Sequence, residues 1–318
     1  MEVIKLEGLN PLEYEHPLDK KALNTLEKTP GLDFFVNKFY ELGLSKLLQL
    51  ELVGNSIKIT PSSLPNVYEI LEDTCEILNL KTVPELYVRC GGTFGVQSNN
   101  FQGITLGVDH PLIIISTECI DSFSRQELSF VLGCEIGRIK SQHIFYKEIA
   151  ALLPIVSELV TGAVAVDFTK PVTSGIGLAL LQWSRWSEFT VDRAGLLACQ
   201  DLTVAMTVMA KMAGLPRRYF ESFNIDDFVT QVREYEGFGD TSYTKFIKIF
   251  NLAFKNQAFV ISRASELLKW TDSREYQAVL ERQTKIKPPP PASFCRHCGS
   301  KLESFNTFCP NCGQRISA

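Results

Sequence analysis

The sequence predicts an α+β fold that is mostly helical, with a small sheet and a separate module at the C-terminus. Three observations lead there. Apolar residues recur at three- and four-residue spacing in most segments, the pattern of amphipathic helices. Runs that read as strands are short and fall between residues 83 and 116. Beyond a proline run, residues 294–318 carry two Cys-x-x-Cys pairs and little else that a core needs.

The chain of 318 residues has room for one large domain or two modest ones. Its net charge of −4 gives no electrostatic reason to expect nucleic acid or an anionic membrane as the main partner. Four of the nine cysteines sit in the terminal cluster, and the other five (Cys75, Cys90, Cys119, Cys134, Cys199) are isolated. The start, Met1 to Lys5, shows no basic region followed by an apolar one, so no secretory signal is expected. A reducing, cytoplasmic compartment follows as the default.

Taken in order, Pro11 to Pro17 is an extended entry, because a residue before proline avoids the helical region. His16 in that entry reads as a surface histidine. A helix begins over Ala22 to Leu26 and is interrupted by Pro30-Gly31. Leu32 to Leu50 reads as helical. Ser62 to Leu78 is a clearer helix, with Pro65 in the first turn and Tyr68, Leu71, Cys75 and Leu78 on one stripe. Val83 to Arg89, Phe101 to Leu106 and Leu112 to Ser116 are the three expected strands, with a turn at 107–111 that exposes His110.

Glu127 to His143 reads as one helix, round which the rest is arranged. Ser124 and Glu127 make an S-x-x-E capping box. Leu128, Val131, Leu132, Ile136 and Ile139 mark a buried face. Cys134 and Arg138, at i and i+4, project together with Glu135 beside them. This Cys134-Glu135-x-x-Arg138 has the frame of H-E-x-x-H, in which two histidines hold zinc and the glutamate is the general base. Here the glutamate is kept and both ligand positions are changed.

Ile149 to Val166 is strongly apolar but contains Pro154 and Glu158, and Val172 to Trp183 is shorter still. A spanning helix needs about 20 apolar residues, so residues 149–183 are expected to be buried helices or a peripheral contact with a membrane rather than a span. Helices are expected over Leu196 to Ala213, Lys245 to Phe259 and Ser262 to Trp270, and a last one ends near Arg282. Residues 284–293, with Pro288 to Pro291, read as an extended linker between a main domain of 1–283 and a module of 294–318.

In that module Cys295-x-x-Cys298 and Cys309-x-x-Cys312 are ten residues apart, each pair followed by glycine (Gly299, Gly313). This spacing resembles a zinc ribbon. Four thiolates close a tetrahedral shell on a structural zinc, with no open position for catalysis, and metal binding must drive the folding of so short a segment.

A second stretch, Ser184-Arg185-x-x-Glu188-x-x-x-Asp192-Arg193, resembles the S-R-x-x-E-x-x-A-D-R segment of the HtpX and CAAX-prenyl-protease metallopeptidases, peptidase family M48. Glu135-Ile136-Gly137-Arg138-Ile139-Lys140-Ser141-Gln142-His143 is similar to that family's E-L-G-H-I-K-x-x-H. Asn99-Asn100-Phe101 resembles its N-A-F segment, and Phe259 to Arg263 with Glu266 to Trp270 resembles the end of its domain, although Gln257-Ala258 stands where the family has His-Pro. The resemblance covers about residues 10–282. It implies a gluzincin-like domain with a small sheet, Glu188 as third zinc ligand, Asp192 and His143 in the surrounding shell, and Asn99, Asn100 and Phe101 beside a peptide-binding edge strand.

Arg138 changes what that site is expected to do. A guanidinium has no lone pair to give a metal and does not deprotonate. It therefore reads as a replacement for catalytic zinc, neutralising Glu135 and Glu188. Three readings stay open: a pseudopeptidase that binds or regulates a protein or peptide, an active metalloendopeptidase with zinc rearranged onto Cys134, Glu188 and His143, and an adaptor acting through its zinc ribbon. A catalytic Cys134–His143 pair is excluded on one helix, since nine residues span about 13.5 Å.

Overall fold

The computed structural model describes residues 3–90, 103–161, 175–237 and 259–281. The expected fold class holds: a mostly helical α+β domain with a small four-stranded sheet. Asn99, Asn100 and Phe101, the apolar residues 162–174, the helix expected over 245–258, the linker and the terminal cysteines lie outside the described residues.

Helix α1 (Pro17–Glu27) starts at proline, with His16 as its cap. His16 is a correction to the sequence reading. It is buried, its Nδ1 accepts from the Leu18 amide, and its Nε2 meets Glu266 Oε2 at 3.0 Å. Packing of α1 on a later helix brings the Phe189 ring against it, which no local pattern announces. The expected helix over Leu32 to Leu50 is two, α2 (Leu32–Glu41) and α3 (Leu44–Gly54), because Gly43 takes a left-handed φ of 60°. α4 (Pro65–Ile77) has proline at its start and buries Val67, Ile70, Leu71, Thr74 and Cys75, an i, i+3, i+4 face.

The strands are β1 (Ile57–Ile59), β2 (Glu85–Arg89), β3 (Gly103–Leu106) and β4 (Leu112–Ser116), in sheet order β1-β2-β4-β3. β2 and β4 pair in parallel, with Val88 opposite Ile115; the outer pairs are antiparallel, with Ile57 opposite Val88 and Gly103 opposite Ile115. Alternate residues serve two cores. Leu86, Val88, Ile113 and Ile115 face one, which contains α4 and the central helix. Tyr87, Leu112 and Ile114 face the other, with α1, α2 and α3. Both faces are therefore covered by helices, as the apolar run at 112–115 requires.

A short α5 (Thr117–Ser122) leads to α6 (Arg125–Lys140). The capping box forms as expected: the Glu127 amide donates to Ser124 Oγ and the Ser124 amide to Glu127 Oε2. The helix is buried on nearly every side from Glu127 to Arg138, not along one stripe, so it is the centre of the domain. After it come α7 (Ile144–Thr161) and α8 (Gly175–Cys199). The expected Leu196 to Ala213 helix is broken: Gln200 has φ 51°, and Asp201 caps a new helix, α9 (Leu202–Ala213), through the Thr203 and Val204 amides. Then follow α10 (Ile225–Gly237), α11 (Val260–Asp272) and α12 (Arg274–Leu280). Among the described residues no helix is long and apolar enough to cross a membrane.

Among the described residues α6 and α8 pack in close contact. A Cβ on Gly133 would lie 2.4 Å from Ala198 Cβ, and one on Gly137 2.3 Å from Ala194 Cβ. From the other side, a Cβ on Gly195 would lie 2.6 Å from Cys134 Sγ. Three glycines thus let the two helices that carry both motifs approach within backbone contact.

Candidate functional site

α6 presents Glu135 and Arg138, α8 presents Glu188 and Asp192 one turn apart, and the glycine contacts fix how far apart those two sets lie. Arg138 is buried with its guanidinium between the helices. Its Nε donates to Glu135 Oε2 at 3.2 Å, its Nη1 to Glu188 Oε1 at 3.2 Å, and its Nη2 to Glu188 Oε2 at 3.4 Å. The two-point grip on Glu188 is the fork geometry that arginine supplies and lysine does not.

Two further cations complete the centre, and sequence reasoning assigned neither. Lys147 of α7 donates to Glu188 Oε1 at 2.5 Å and to the carbonyl and hydroxyl oxygens of Ser184 at 2.8 and 2.9 Å. Arg263 of α11 grips Asp192, Nε to Oδ2 at 2.8 Å and Nη2 to Oδ1 at 2.6 Å, and reaches Glu188 Oε2 at 3.8 Å. Lys147 lies four residues past His143 in a run that reads only as the start of an apolar helix. Arg263 was visible only as part of the similarity at 259–263.

The charges shift one another in a consistent way. Burial pushes the Glu188 carboxyl up, but Arg138, then Lys147 and Arg263, overcome it and hold it well below the usual range. Burial lowers Lys147 despite Glu188 beside it. Burial also raises Asp192, against the pull of Arg263. Both guanidinium groups are held more firmly protonated, since their carboxylates outweigh the cost of burial.

Cys134 and Arg138 do not act together. Cys134 turns to Asp192, Sγ to Oδ1 at 3.9 Å, while burial and then Asp192 push its thiol well above the ordinary value. His143 also departs from the expected place in the surrounding shell. It follows Gln142, whose φ of 66° ends α6, and so it faces α1: its Nε2 meets Asp19 Oδ2 at 3.0 Å, and its ring lies edge-on to Trp183. Among the described residues no group of three or more His, Cys, Asp or Glu side chains is arranged to hold a metal ion.

The sheet closes the centre from above. Thr105 of β3 donates to Glu135 Oε2 at 2.6 Å, and a Cβ on Gly103 would lie 2.6 Å from Glu135 Cγ. β3 is an edge strand, paired only with β4 among the described residues, as β1 is at the opposite edge.

Comparison with known proteins places the chain in a family. The family model for peptidase family M48 matches residues 69–280, and that for a zinc-ribbon domain matches residues 294–316. The plastoglobule-localized metallopeptidase 48, chloroplastic, of Arabidopsis thaliana is 29% identical over 276 residues, which span 86% of this chain and 76% of that protein. No solved structure matches. Zinc is the cofactor these families indicate, and Cys295, Cys298, Cys309 and Cys312 all fall in the ribbon segment. The chain belongs to peptidase family M48 and carries a zinc ribbon at its C-terminal end.

Proposed function

We propose that the chain is a pseudopeptidase, an M48 domain that binds or regulates a protein or peptide without cleaving it. The observation that carries this is the Arg138 guanidinium lying between Glu135 and Glu188. The side chains present do not fit a catalytic zinc ion, which needs three protein ligands and an open position. Arg138 offers no lone pair. Cys134 faces Asp192 and is held as the thiol. Glu188 already has Arg138 and Lys147 on its two oxygens. Glu135, the general-base position, accepts from Arg138 and Thr105 on the same oxygen, Oε2.

Binding falls to the sheet. β3 has an outer edge along which an extended peptide can add as a further strand, main chain to main chain. Asn99, Asn100 and Phe101 belong to the same edge on this reading. The four terminal cysteines hold structural zinc in a module of their own, with the boundaries 1–283, 284–293 and 294–318. Among the described residues the isolated cysteines Cys75, Cys90, Cys134 and Cys199 form no disulfide, which suits a reducing compartment such as the cytoplasm. Peripheral membrane contact through 149–183 belongs to the same reading; the Arabidopsis relative's name places that protein at plastoglobules.

The test is proteolysis. The full chain is incubated with casein and with peptide mixtures, with and without added zinc. No cleavage is expected. Chelator-sensitive cleavage that disappears in Glu135→Gln would restore the active-peptidase reading and sink this one.

A further inference from the structure

The centre contains three carboxylates, Glu135, Glu188 and Asp192, and three cations, Arg138, Lys147 and Arg263, so its formal charge is zero. The two signs do not lie at the same depth. The Arg138 side chain is 9% exposed and Glu135 4%. Lys147 is 20% exposed and Glu188 11%. Arg263 is 13% exposed and Asp192 1%. Lys147 and Arg263 are thus more exposed than the carboxylates they hold, whereas Arg138, at 9%, lies slightly deeper than Glu188, at 11%. A neutral cluster whose two most exposed members are cations presents positive potential on that side.

The outer layer also has donors to spare. A guanidinium carries five N–H groups. Arg138 commits three of its donor directions, one to Glu135 and two to Glu188. Arg263 commits Nε and Nη2 to Asp192, and its Nη1 has no acceptor among the described residues. Lys147 is saturated by Ser184 and Glu188, so it contributes charge rather than a free donor. This centre borders β3, which pairs with β4 alone among the described residues, because Thr105 donates to Glu135, the carboxylate that Arg138 holds, and Gly103 packs against it.

We propose that the cationic rim of Lys147 and Arg263, with Arg138 beneath it, is a carboxylate-recognition site, which selects extended peptides that place an ionised carboxylate there while pairing with β3. This deepens the pseudopeptidase reading and rests on it. A carboxylate matches the spare N–H groups of a guanidinium in geometry and charge. A neutral amide of the same shape gains neither the charge nor a second acceptor oxygen. The carboxylate has two sources in a peptide, an Asp or Glu side chain or the free C-terminus.

The experiment measures binding to the full-length protein by fluorescence anisotropy. The probes are labelled ten-residue peptide pools of randomised Val, Thr, Ala, Tyr and Leu. The central residue is fixed as Glu in one set and Gln in another, and each set is made with a free and an amidated C-terminus. A charge-assisted hydrogen bond corresponds to about ten- to a hundredfold in affinity, and a Glu-over-Gln preference of that size is the expected result. It should shrink as salt is raised and shrink again in Lys147→Met. Should Lys147→Met not fold, Arg263→Lys, which keeps the charge but loses the fork, supplies the comparison. Preference for the free over the amidated terminus, with Glu and Gln equal, supports the site and assigns the terminal carboxylate to it. Equal binding of all four sets overturns the carboxylate site and leaves the pseudopeptidase reading standing. Binding of none of them overturns both.

Discussion

Replacing Arg138 by methionine tests whether the guanidinium is a compensation for lost metal. Its two carboxylates do not depend on it equally. Glu188 keeps Lys147 at 2.5 Å and Arg263 at 3.8 Å. Glu135 keeps one hydrogen bond, from Thr105, and no other ion pair among the described residues. Arg138→Met therefore strands Glu135 above all. Removing one partner of a buried pair costs about 3–5 kcal/mol, because the other charge stays behind. Adding Glu135→Gln removes that charge and should recover about 1–3 kcal/mol, a coupling typical of residues in one network. Adding Glu188→Gln instead should recover less, since Glu188 has cations in reserve. The assay is urea denaturation of the full chain, followed by near-ultraviolet circular dichroism, for wild type, three single variants and two doubles. Losses that simply add in the Arg138/Glu135 cycle, or an Arg138→Met loss below about 0.5 kcal/mol, the range of an ordinary surface change, would refute the reasoning.

Zinc analysis of the purified chain should give one zinc, lost in Cys309→Ser and unchanged in Glu188→Gln, since the ribbon motif supplies a full tetrahedral shell; two zincs per chain would contradict the proposed centre. Stability should fall on acidification below pH about 4. Glu188 is depressed in the folded state, so its contribution is complete above the unfolded carboxylate pKa of about 4.3 and is lost as pH drops through the folded value. Asp192, raised by burial, has the opposite sign, so its contribution weakens as pH rises through its own window. Thermal unfolding across pH should show a flatter acid limb in Glu188→Gln. Gly137→Ala should cost about 1–3 kcal/mol by overpacking, because its Cβ would meet Ala194 Cβ; an unchanged denaturation midpoint would mean that the two helices separate freely.

What could be read from the sequence was local. The Ser124–Glu127 capping box, the proline start at 65, and the strands near 85, 103 and 112 each follow from residues within one turn or one alternation, whereas the first helix starts at Pro17, inside the stretch expected to be extended, and not at Ala22. The pairing of Glu135 with Arg138 was equally local, at i and i+3, and Glu188 came from its motif. What escaped was set at long range. Lys147 reaches Glu188 across 41 residues, and Arg263 reaches Asp192 across 71. His16 is buried because Glu266, 250 residues away, packs against it. No periodicity records such partners. The three-residue β1 was too short to show alternation, and a single left-handed glycine at 43 was enough to divide one apolar run into two helices.

The glycine contacts between α6 and α8 bear on how a centre of this kind arises. Gly133, Gly137 and Gly195 fix the spacing of the helices by backbone contact, independently of the charges they carry. On the pseudopeptidase reading, a metal-holding set and an ion-paired set are then interchangeable on one backbone, and a lineage moves between them by side-chain substitution without repacking its core. The order of those substitutions is constrained. If metal is lost before a cation arrives, Glu135 and Glu188 are left bare at a cost of several kcal/mol, a large share of the ~5–15 kcal/mol that holds a typical domain together. The viable history brings Lys147, Arg263 or Arg138 into place first and lets the remaining ligands drift afterwards. Relatives that retain the histidines should then already carry at least one of these cations.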